Sequence, residues 1–370
     1  MENKNEWRKV KLSELMELKY GKEHKKLLSG SIPCYGTGGI IRFVNTSIYE
    51  EESVLIPRKG SLKNIYYIDT PFWTVDTLFW TKINKEVVVP KFLYYKLKNC
   101  DLSSLDEGTA IPSLTTKTLN EIKIEIPSLN IQKKIAKILS DIDNKIELNE
   151  KINDNLEKQA HLIFNNHFFN KNKNYNNYIF SNLLEIADFL NGLAMQKYTP
   201  DKSDEKNFPI LKIKELNQGF TDKSSDRCSS KIKPEYIIKN GDIIFSWSGT
   251  LLIKIWCGNK CGLNQHLFKV TSKKYDKWFY FLWTNYHLKK FISIAKDKVT
   301  TMGHIKRTDL EKSFVLIPPE KEYKNLNKIL TPIFESIISN KKENNYLKHL
   351  KNYLLPKLMN GEINVENIEL

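Results

Sequence analysis

The feature that most constrains this 370-residue chain is a pair of long amphipathic stretches that answer each other position for position. In the first, about residues 129–164, apolar side chains fall at Ile131, Ile135, Ile138, Ile142, Ile146, Ile152, Leu156 and Ile163. That three-and-four spacing lays one stripe along a helix. No Pro or Gly interrupts the run, and Pro127-Ser128 stands just ahead, where a helix start is commonly punctuated. The shift that carries Ile126-Pro127 onto Ile317-Pro318 also carries Ile142 onto Ile333, Ile146 onto Ile337, Asn149 onto Asn340 and Leu156 onto Leu347. One helix is written twice at domain-sized spacing, which marks a duplicated domain rather than a solenoid of short repeats.

The sequence ahead of each helix repeats as well. From Trp7 to Ile126 short β-branched and aromatic runs alternate with turn residues: Ser53-Val54-Leu55-Ile56 before Arg58-Lys59-Gly60, then Ile65-Tyr66-Tyr67-Ile68, then Leu78-Phe79-Trp80. Such runs read as strands. Val89 to Leu97 reads as a short helix with Pro90 in its first turn, and Glu121 to Ile126 alternates as a half-buried strand does. After the long helix, Asn170 to Asn177 (NKNKNYNN) is a polar, low-complexity linker. The second copy then opens: Phe180-Ser181-Asn182-Leu183 answers Leu12-Ser13-Glu14-Leu15, and Phe208-Pro209 answers Ile32-Pro33. Asp242-Ile243-Ile244-Phe245 with Gly249 answers Ser53-Val54-Leu55-Ile56 with Gly60, and at the same spacing Leu267-Phe268 answers Leu78-Phe79. Thr300 to Ile305 answers Thr109 to Leu114. Inside this shared frame the residues differ: Tyr35-Gly36-Thr37-Gly38-Gly39 follows Pro33, whereas Ile210-Leu211-Lys212-Ile213 follows Pro209. A duplicated scaffold with diverged loops suits two related binding modules with different targets.

The expected fold is α+β, with domains at residues 1–127 and 170–318, the linker 170–177 belonging to the second. Long helices follow at 128–169 and 319–370, the latter with a C-terminal tail. Two helix copies related by a pseudo-twofold axis most simply pack antiparallel. Asn149 and Asn340 interrupt both seams at the same repeat position, and a buried Asn in a seam fixes register, so the two are expected to lie close together.

Lys and Arg number 58 against 43 Asp and Glu, a formal net charge of +15, which points towards a polyanion, nucleic acid foremost. The polar opening MENKNEWRKVKL has no apolar signal core and no run reaches membrane-spanning length, so a cytoplasmic protein without membrane partners is expected. Cys34, Cys100, Cys228, Cys257 and Cys261 are an odd count without a C-x-x-C pair and read as reduced thiols; Cys257 and Cys261 beside His266 are not taken as a metal site. The chain carries no Walker A pattern, no Asn-Pro-Pro-aromatic run and no cofactor glycine loop in a strand-to-helix setting. Glu121-x-Lys123 lies in an alternating strand, and the His residues form no triad spacing. The chain reads as non-catalytic.

Taken together, the repeat, the run Gly108-Thr109-Ala110-Ile111-Pro112-Ser113-Leu114 and the chain end Leu354-Leu355-Pro356-Lys357-Leu358-Met359-Asn360-Gly361-Glu362-Ile363 resemble the specificity subunit of a Type I restriction-modification system. Trp7 to Leu15 resembles the opening of that family's domains, and Tyr35 to Gly39 the entry to one class of them. The helix starts depart from the family's usual Glu-Gln pair, reading Asn130-Ile131-Gln132 and Glu320-Lys321-Glu322. The resemblance implies two target-recognition domains separated by two long antiparallel coiled-coil helices. Each domain would read half of a bipartite double-stranded DNA target, the helices acting as a spacer of roughly 50 to 60 Å. It implies as partners two methyltransferase subunits holding S-adenosylmethionine and restriction subunits using ATP and Mg, with no cofactor on this chain. The competing reading is a coiled-coil interaction scaffold without specific DNA binding.

On the leading reading, Lys and Arg would position the domains on phosphates while polar and aromatic side chains read base edges. The candidates in the first domain are Tyr35, Thr37, Arg58, Lys59, Lys63 and Trp73. In the second they are Ser246, Trp247, Lys254, Asn264, Gln265, His266, Thr301 and Arg307, with Asn264 and Gln265 singled out because a carboxamide pairs bidentately with adenine.

Overall fold

The computed structural model describes residues 7–108, 112–201, 206–296 and 304–368. They form two compact units: residues up to 144 together with 348–370, and residues 145–347.

In the first unit the elements are β1 (Arg8–Lys11), α1 (Leu12–Leu15), β2 (Met16–Tyr20), β3 (Ile32–Gly36), β4 (Gly39–Val44), β5 (Ser53–Pro57), β6 (Tyr66–Ile68), β7 (Trp73–Thr74), β8 (Leu78–Ile83), α2 (Pro90–Asn99), α3 (Thr116–Glu121) and β9 (Lys123–Ile126). Helix α4 (Leu129–Phe168) follows and enters both units. The second unit adds β10 (Ile179–Asn182), α5 (Leu183–Ile186), β11 (Asp188–Asn191), β12 (Asn207–Leu211), α6 (Ile213–Gln218), β13 (Arg227–Ser229), β14 (Ile237–Ile238), β15 (Asp242–Ser246), β16 (Leu252–Trp256), β17 (Cys261–Leu263), β18 (Leu267–Thr271), α7 (Lys277–Lys296), α8 (Arg307–Glu311) and β19 (Phe314–Ile317). Helix α9 (Glu320–Met359) closes the order and also contributes to both units.

The repeat is visible strand by strand. The pair β1-β9 has its counterpart in β10-β19, and the sheet β2-β8-β5-β6 in β11-β18-β15-β16. The parallel pair β3·β7, with Cys34 opposite Trp73, has its counterpart in β12·β17, with Ile210 opposite Gly262. Two glycines show why the frame persists. A Cβ on Gly21 would stand 2.0 Å from the carbonyl oxygen of Val75, and one on Gly192 would stand 2.2 Å from that of Asn264. In both copies only hydrogen fits, and in both the glycine N–H donates to the start of the next strand, Gly21 to Leu78 and Gly192 to Leu267.

The long helices show the same frame held by different side chains. Gln132 is 1% exposed: its Oε1 accepts from Val89 N at 2.8 Å, and its Nε2 donates to the carbonyls of Val87 and Pro127. This ties α4 to the start of α2. The matching position on α9 is Tyr323, whose hydroxyl accepts from Asp276 N at 2.9 Å just ahead of α7 and donates to the Asp276 carboxylate. The first core gathers Val54, Ile56, Phe79, Phe92 and Leu93 around Ile131, Ile135 and Leu139 of α4 with Leu358, Met359 and Val365. The second gathers Phe245, Trp278, Phe279 and Trp283 around Phe164 and Phe168 of α4 with Leu326, Leu330, Phe334 and Ile337 of α9. Side chains of this size stabilise by roughly 1.5–3 kcal/mol each on burial.

In the second unit α4 and α9 run antiparallel. Asn149 Nδ2 donates to Asn344 Oδ1 at 2.8 Å and to Glu343 at 2.7 Å, and Asn340 Nδ2 donates to Asn153 Oδ1 at 3.0 Å. Asn344 Nδ2 also donates to the Ile146 carbonyl at 3.1 Å. Asn149 and Asn340, expected to lie close together, thus each bond to an Asn about one turn along from the other, Asn344 and Asn153. The stripe shifts accordingly: Asn153 is buried, whereas Ile152 is 38% exposed and lies off the seam. In the first unit the helices meet through Lys351 and the Asp143 carboxylate at 2.6 Å.

Two further differences from sequence expectation have simple causes. Strand β9 begins at Lys123 because Glu121 ends α3, whose cap is the Thr115 hydroxyl accepting from Thr118 N. Helix α7 was not foreseen, since KWFYFLWTNYHLKKFISIAK is apolar on nearly every side and shows no stripe. Helix α9 continues through Pro332 and Pro356 to Met359 and ends just ahead of Gly361, which adopts a positive φ of 70°.

Candidate nucleic-acid interface

In the first unit the site forms where β3 turns into β4. Thr37 Oγ1 donates to the carbonyls of Lys59 (3.1 Å) and Thr77 (3.3 Å), while the Thr37 carbonyl accepts from Asn64 Nδ2 and Tyr66 OH, both at 2.9 Å. The hairpin is thereby fastened to the 58–64 loop. Gly60 N donates to Pro112 O and Leu114 N to Arg58 O, each at 2.9 Å, so the 112–114 segment joins the same surface.

The candidate residues take different roles there. Arg58 Nη1 donates to the Asp76 carbonyl at 2.9 Å, stands 3.6 Å from the Asp76 carboxylate and sits over the Tyr20 ring at 5.4 Å. Trp73 is half-buried, its Nε1 donating to the Lys22 carbonyl at 3.1 Å. Tyr35 packs with Tyr66 in a small core, and burial, followed by the charge of Asp69, raises its phenol pKa. Lys59 and Lys63 are exposed. Thr37, Arg58, Tyr35 and Trp73 therefore build the wall, and the two lysines project from it.

The second unit repeats this construction with other chemistry. Trp247 takes the place of Arg58: its Nε1 donates to the Gln265 carbonyl at 3.2 Å, the counterpart of Asp76, and to Asn191 Oδ1 at 3.1 Å, where the first unit has Tyr20. Ser248 bridges His304 as Lys59 bridges Ser113, and Ile305 N donates to Trp247 O as Leu114 N does to Arg58 O. Beyond the shared strand the copies part. After β3 the first unit reverses into β4, whereas after β12 the second enters α6.

Beside that divergence lies a cleft of about 790 Å³ in the second unit, lined by Ser248, Asn264, Gln265 and His266 together with Lys212, Lys214, Asp226 and Arg227. Ser248 Oγ lies 2.9 Å from His266 Nδ1, and Gln265 Nε2 lies 3.5 Å from His266 Nε2. Lys212 pairs with Asp226, Lys214 Nζ donates to Ser224 at 2.9 Å, and Arg227 Nε donates to Asn207 Oδ1 at 2.6 Å. Cationic donors and polar, amide-bearing side chains thus line one cleft.

Several sequence candidates are corrected. Ser246 is fully buried and its hydroxyl bonds to the Ser248 carbonyl, so it supports the loop and offers no contact. Asn264 is 7% exposed and its Oδ1 accepts from His266 N at 3.2 Å, so burial within its own turn leaves little of the carboxamide to reach a base. Lys254 lies on β16, its Nζ donating to the Asn217 carbonyl at 2.6 Å; burial lowers its pKa, and its charged neighbours are Lys341 and Glu157 of the helices rather than the cleft. Trp247 is a bracket. Arg307 is exposed at the start of α8, and Thr301, with Thr109 to Ile111, lies outside the described residues. Gln196, Thr199, Lys212, Lys214 and Arg227 were missed, because only the parallel pairing β12·β17 brings Lys212 beside Asn264.

Among the described residues no group of His, Cys, Asp and Glu could hold a metal ion, and no helix is long and apolar enough to cross a membrane.

Two copies of one strand frame, each joined to a long helix, define a duplicated two-domain protein. The model of the Type I restriction modification DNA specificity domain matches residues 4–158 and again residues 175–349, and the chain belongs to this family. The Type I restriction enzyme MjaIX specificity subunit of Methanocaldococcus jannaschii is 28% identical over 352 residues, covering 87% of this chain and 80% of that protein. The MjaVIII specificity subunit of the same organism is 25% identical over 407 residues, covering 98% and 94%. In fold, the chain is similar to the crystal structure of a Type I restriction-modification system S subunit from M. genitalium, with a TM-score of 0.64 over 96% of this chain and 97% of that one at 18% identity.

Proposed function

We propose that this chain is the DNA-reading subunit of a Type I restriction-modification complex and that each domain reads one half of a bipartite target. The observation that carries the reading is the matched frame with unmatched inserts. The same glycine contacts, the same carbonyl bracket and the same cross-loop bridge recur in both units, while a hairpin in one is replaced by a basic cleft in the other. Lys59 and Lys63, and on the other domain Lys212, Lys214, Arg227 and Arg307, would contact phosphates. Gln265 and His266 would reach base edges. The chain would be non-catalytic: two methyltransferase subunits with S-adenosylmethionine and restriction subunits with ATP and Mg would supply the chemistry, docking along α4 and α9. At 1.5 Å per residue each 40-residue helix is about 60 Å long, enough to set the spacing of two half-sites.

Methylome sequencing of host cells with and without this gene tests the reading. Loss of one bipartite methylated motif is expected on deletion. A four-residue insertion after Glu150 should change the spacer of that motif. An unchanged methylome on deletion would instead favour an interaction scaffold.

A further inference from the structure

Strand β4 is the outer strand of the sheet β4-β3-β7, and its pairing with β3 slips. Arg42 lies opposite Cys34 and Ile40 opposite Tyr35, so Ile41 is an extra residue, a β-bulge. A bulge breaks the in-out alternation of a strand and re-aims its side chains. Here it leaves two consecutive isoleucines outside, Ile40 at 51% and Ile41 at 50% exposed, with Phe43 at 51% and Leu28 at 71% beside them. Asn45 N donates to the Leu28 carbonyl and Arg42 Nη2 to that of Leu27, which holds the 27–28 segment against β4. Four exposed large apolar side chains on one short strand and the segment bonded to it, in a charged protein, mark a binding surface.

Its surroundings are cationic. Between Lys22 and Thr46 stand Lys22, Lys25, Lys26 and Arg42 against a single acid, Glu23, whose carboxylate already accepts from His24 N and Lys25 N. Lys59 and Lys63 project from the loop to which Thr37 ties the hairpin. The tip is unobstructed, since a Cβ added at Gly38 or Gly39 would meet nothing within 4 Å. The outer hairpin of this three-stranded sheet, anchored at Thr37 but open at Gly38 and Gly39 and flanked by cations, suits the major groove, which admits β-strands and in which the apolar mark is the thymine methyl group.

We propose that the β3–β4 hairpin enters the major groove and that Ile40 and Ile41 read thymine methyl groups within the half-site of the first domain. This rests on the DNA-reading function proposed above. Serine, threonine or amide donors would favour other edges; a pair of bulged isoleucines can distinguish only by methyl contact.

The test uses the native complex from the host and labelled duplexes of its methylated motif in which deoxyuridine replaces each thymine of that half-site in turn, removing one methyl and nothing else. At the thymines beneath the bulge, binding should weaken roughly three- to fivefold per methyl, the value of one buried CH₂-sized group. The double variant Ile40→Ala, Ile41→Ala should bind thymine and deoxyuridine duplexes equally while still discriminating at the other half-site. Equal binding of both duplexes by the wild type at every position overturns the inference, and this arm needs no variant to fold. A double variant that keeps the preference overturns it as well. So does one that changes oligomeric mass with thymine discrimination intact, which would make β4 an edge for a second copy of the chain. Absence of any sequence-specific binding by the wild type would overturn the proposed function itself.

Discussion

Replacing Gly192 by Ala places a methyl 2.2 Å from the Asn264 carbonyl oxygen and 2.5 Å from the Leu263 carbonyl oxygen. An ordinary carbon–oxygen contact is about 3.3 Å, so the overlap is about an ångström, and both obstacles are backbone that no rotamer change can move. Relief requires the 191–193 segment to separate from 263–265. That strains three hydrogen bonds: Gly192 N to Leu267 O at 3.0 Å, Leu193 N to Leu263 O at 2.9 Å and Gln265 N to Leu193 O at 2.9 Å. At about 1 kcal/mol for each bond, with a further 1–3 kcal/mol of overpacking, the expected loss is about 4–6 kcal/mol in the second unit. Urea unfolding read by tryptophan fluorescence should show the second unit's transition moving to lower urea while the first unit's stays in place. The same substitution displaces Gln265 and His266, so DNA discrimination should fail at one half-site only. Gly38→Ala, with open space around it, should change stability by no more than about 0.5 kcal/mol. A Gly192→Ala protein that unfolds within about 1 kcal/mol of the wild type would refute the close-approach argument.

Two further outcomes are expected. Gln132→Ala leaves the Val89 N–H and the carbonyls of Val87 and Pro127 without their amide partner, which should cost the first unit about 3 kcal/mol by urea unfolding; a loss under about 1 kcal/mol would mean that water replaces the amide. At the end of α4, burial, helped by Lys173 and opposed by Glu322, pushes the His167 imidazole down to about 4, while bonds from Lys173 and Tyr178 hold the Glu322 carboxyl below its usual range. A histidine depressed in the folded state contributes fully above its unfolded pKa, about 6.5, and loses that contribution as pH falls towards 4. The His167→Gln variant should therefore lose less stability than the wild type between pH 6.5 and 4, and parallel curves would count against this account.

The long helices were legible because a three-and-four period survives any tertiary context, and the repeat because Gly, Pro and short β-branched runs recur in order. What eluded the sequence is geometric. A repeat shift states which residues are equivalent, but not where two antiparallel copies cross, and so Asn149 meets Asn344 rather than Asn340. Equivalence also conceals role. Arg58 and Trp247 share no chemistry beyond an N–H, yet each brackets the same carbonyl, so residue types that suggested DNA contact also hold the loop in place. The cleft cations were illegible because the residues that face them arrive through a parallel strand pair about fifty positions further along the chain.

The make-up of the first unit bears on how the protein is made. Its core includes Leu358, Met359 and Val365, and Lys96 Nζ donates to the Met359 carbonyl at 2.6 Å, so the domain translated first lacks part of its interior until the last turns of α9 leave the ribosome. The second unit is one uninterrupted segment, residues 145–347, and holds its complete core earlier. Synthesis runs from the first domain to the second, whereas completion runs in reverse, and a nascent chain stalled before residue 348 carries one finished domain and one that is waiting for its closing strap.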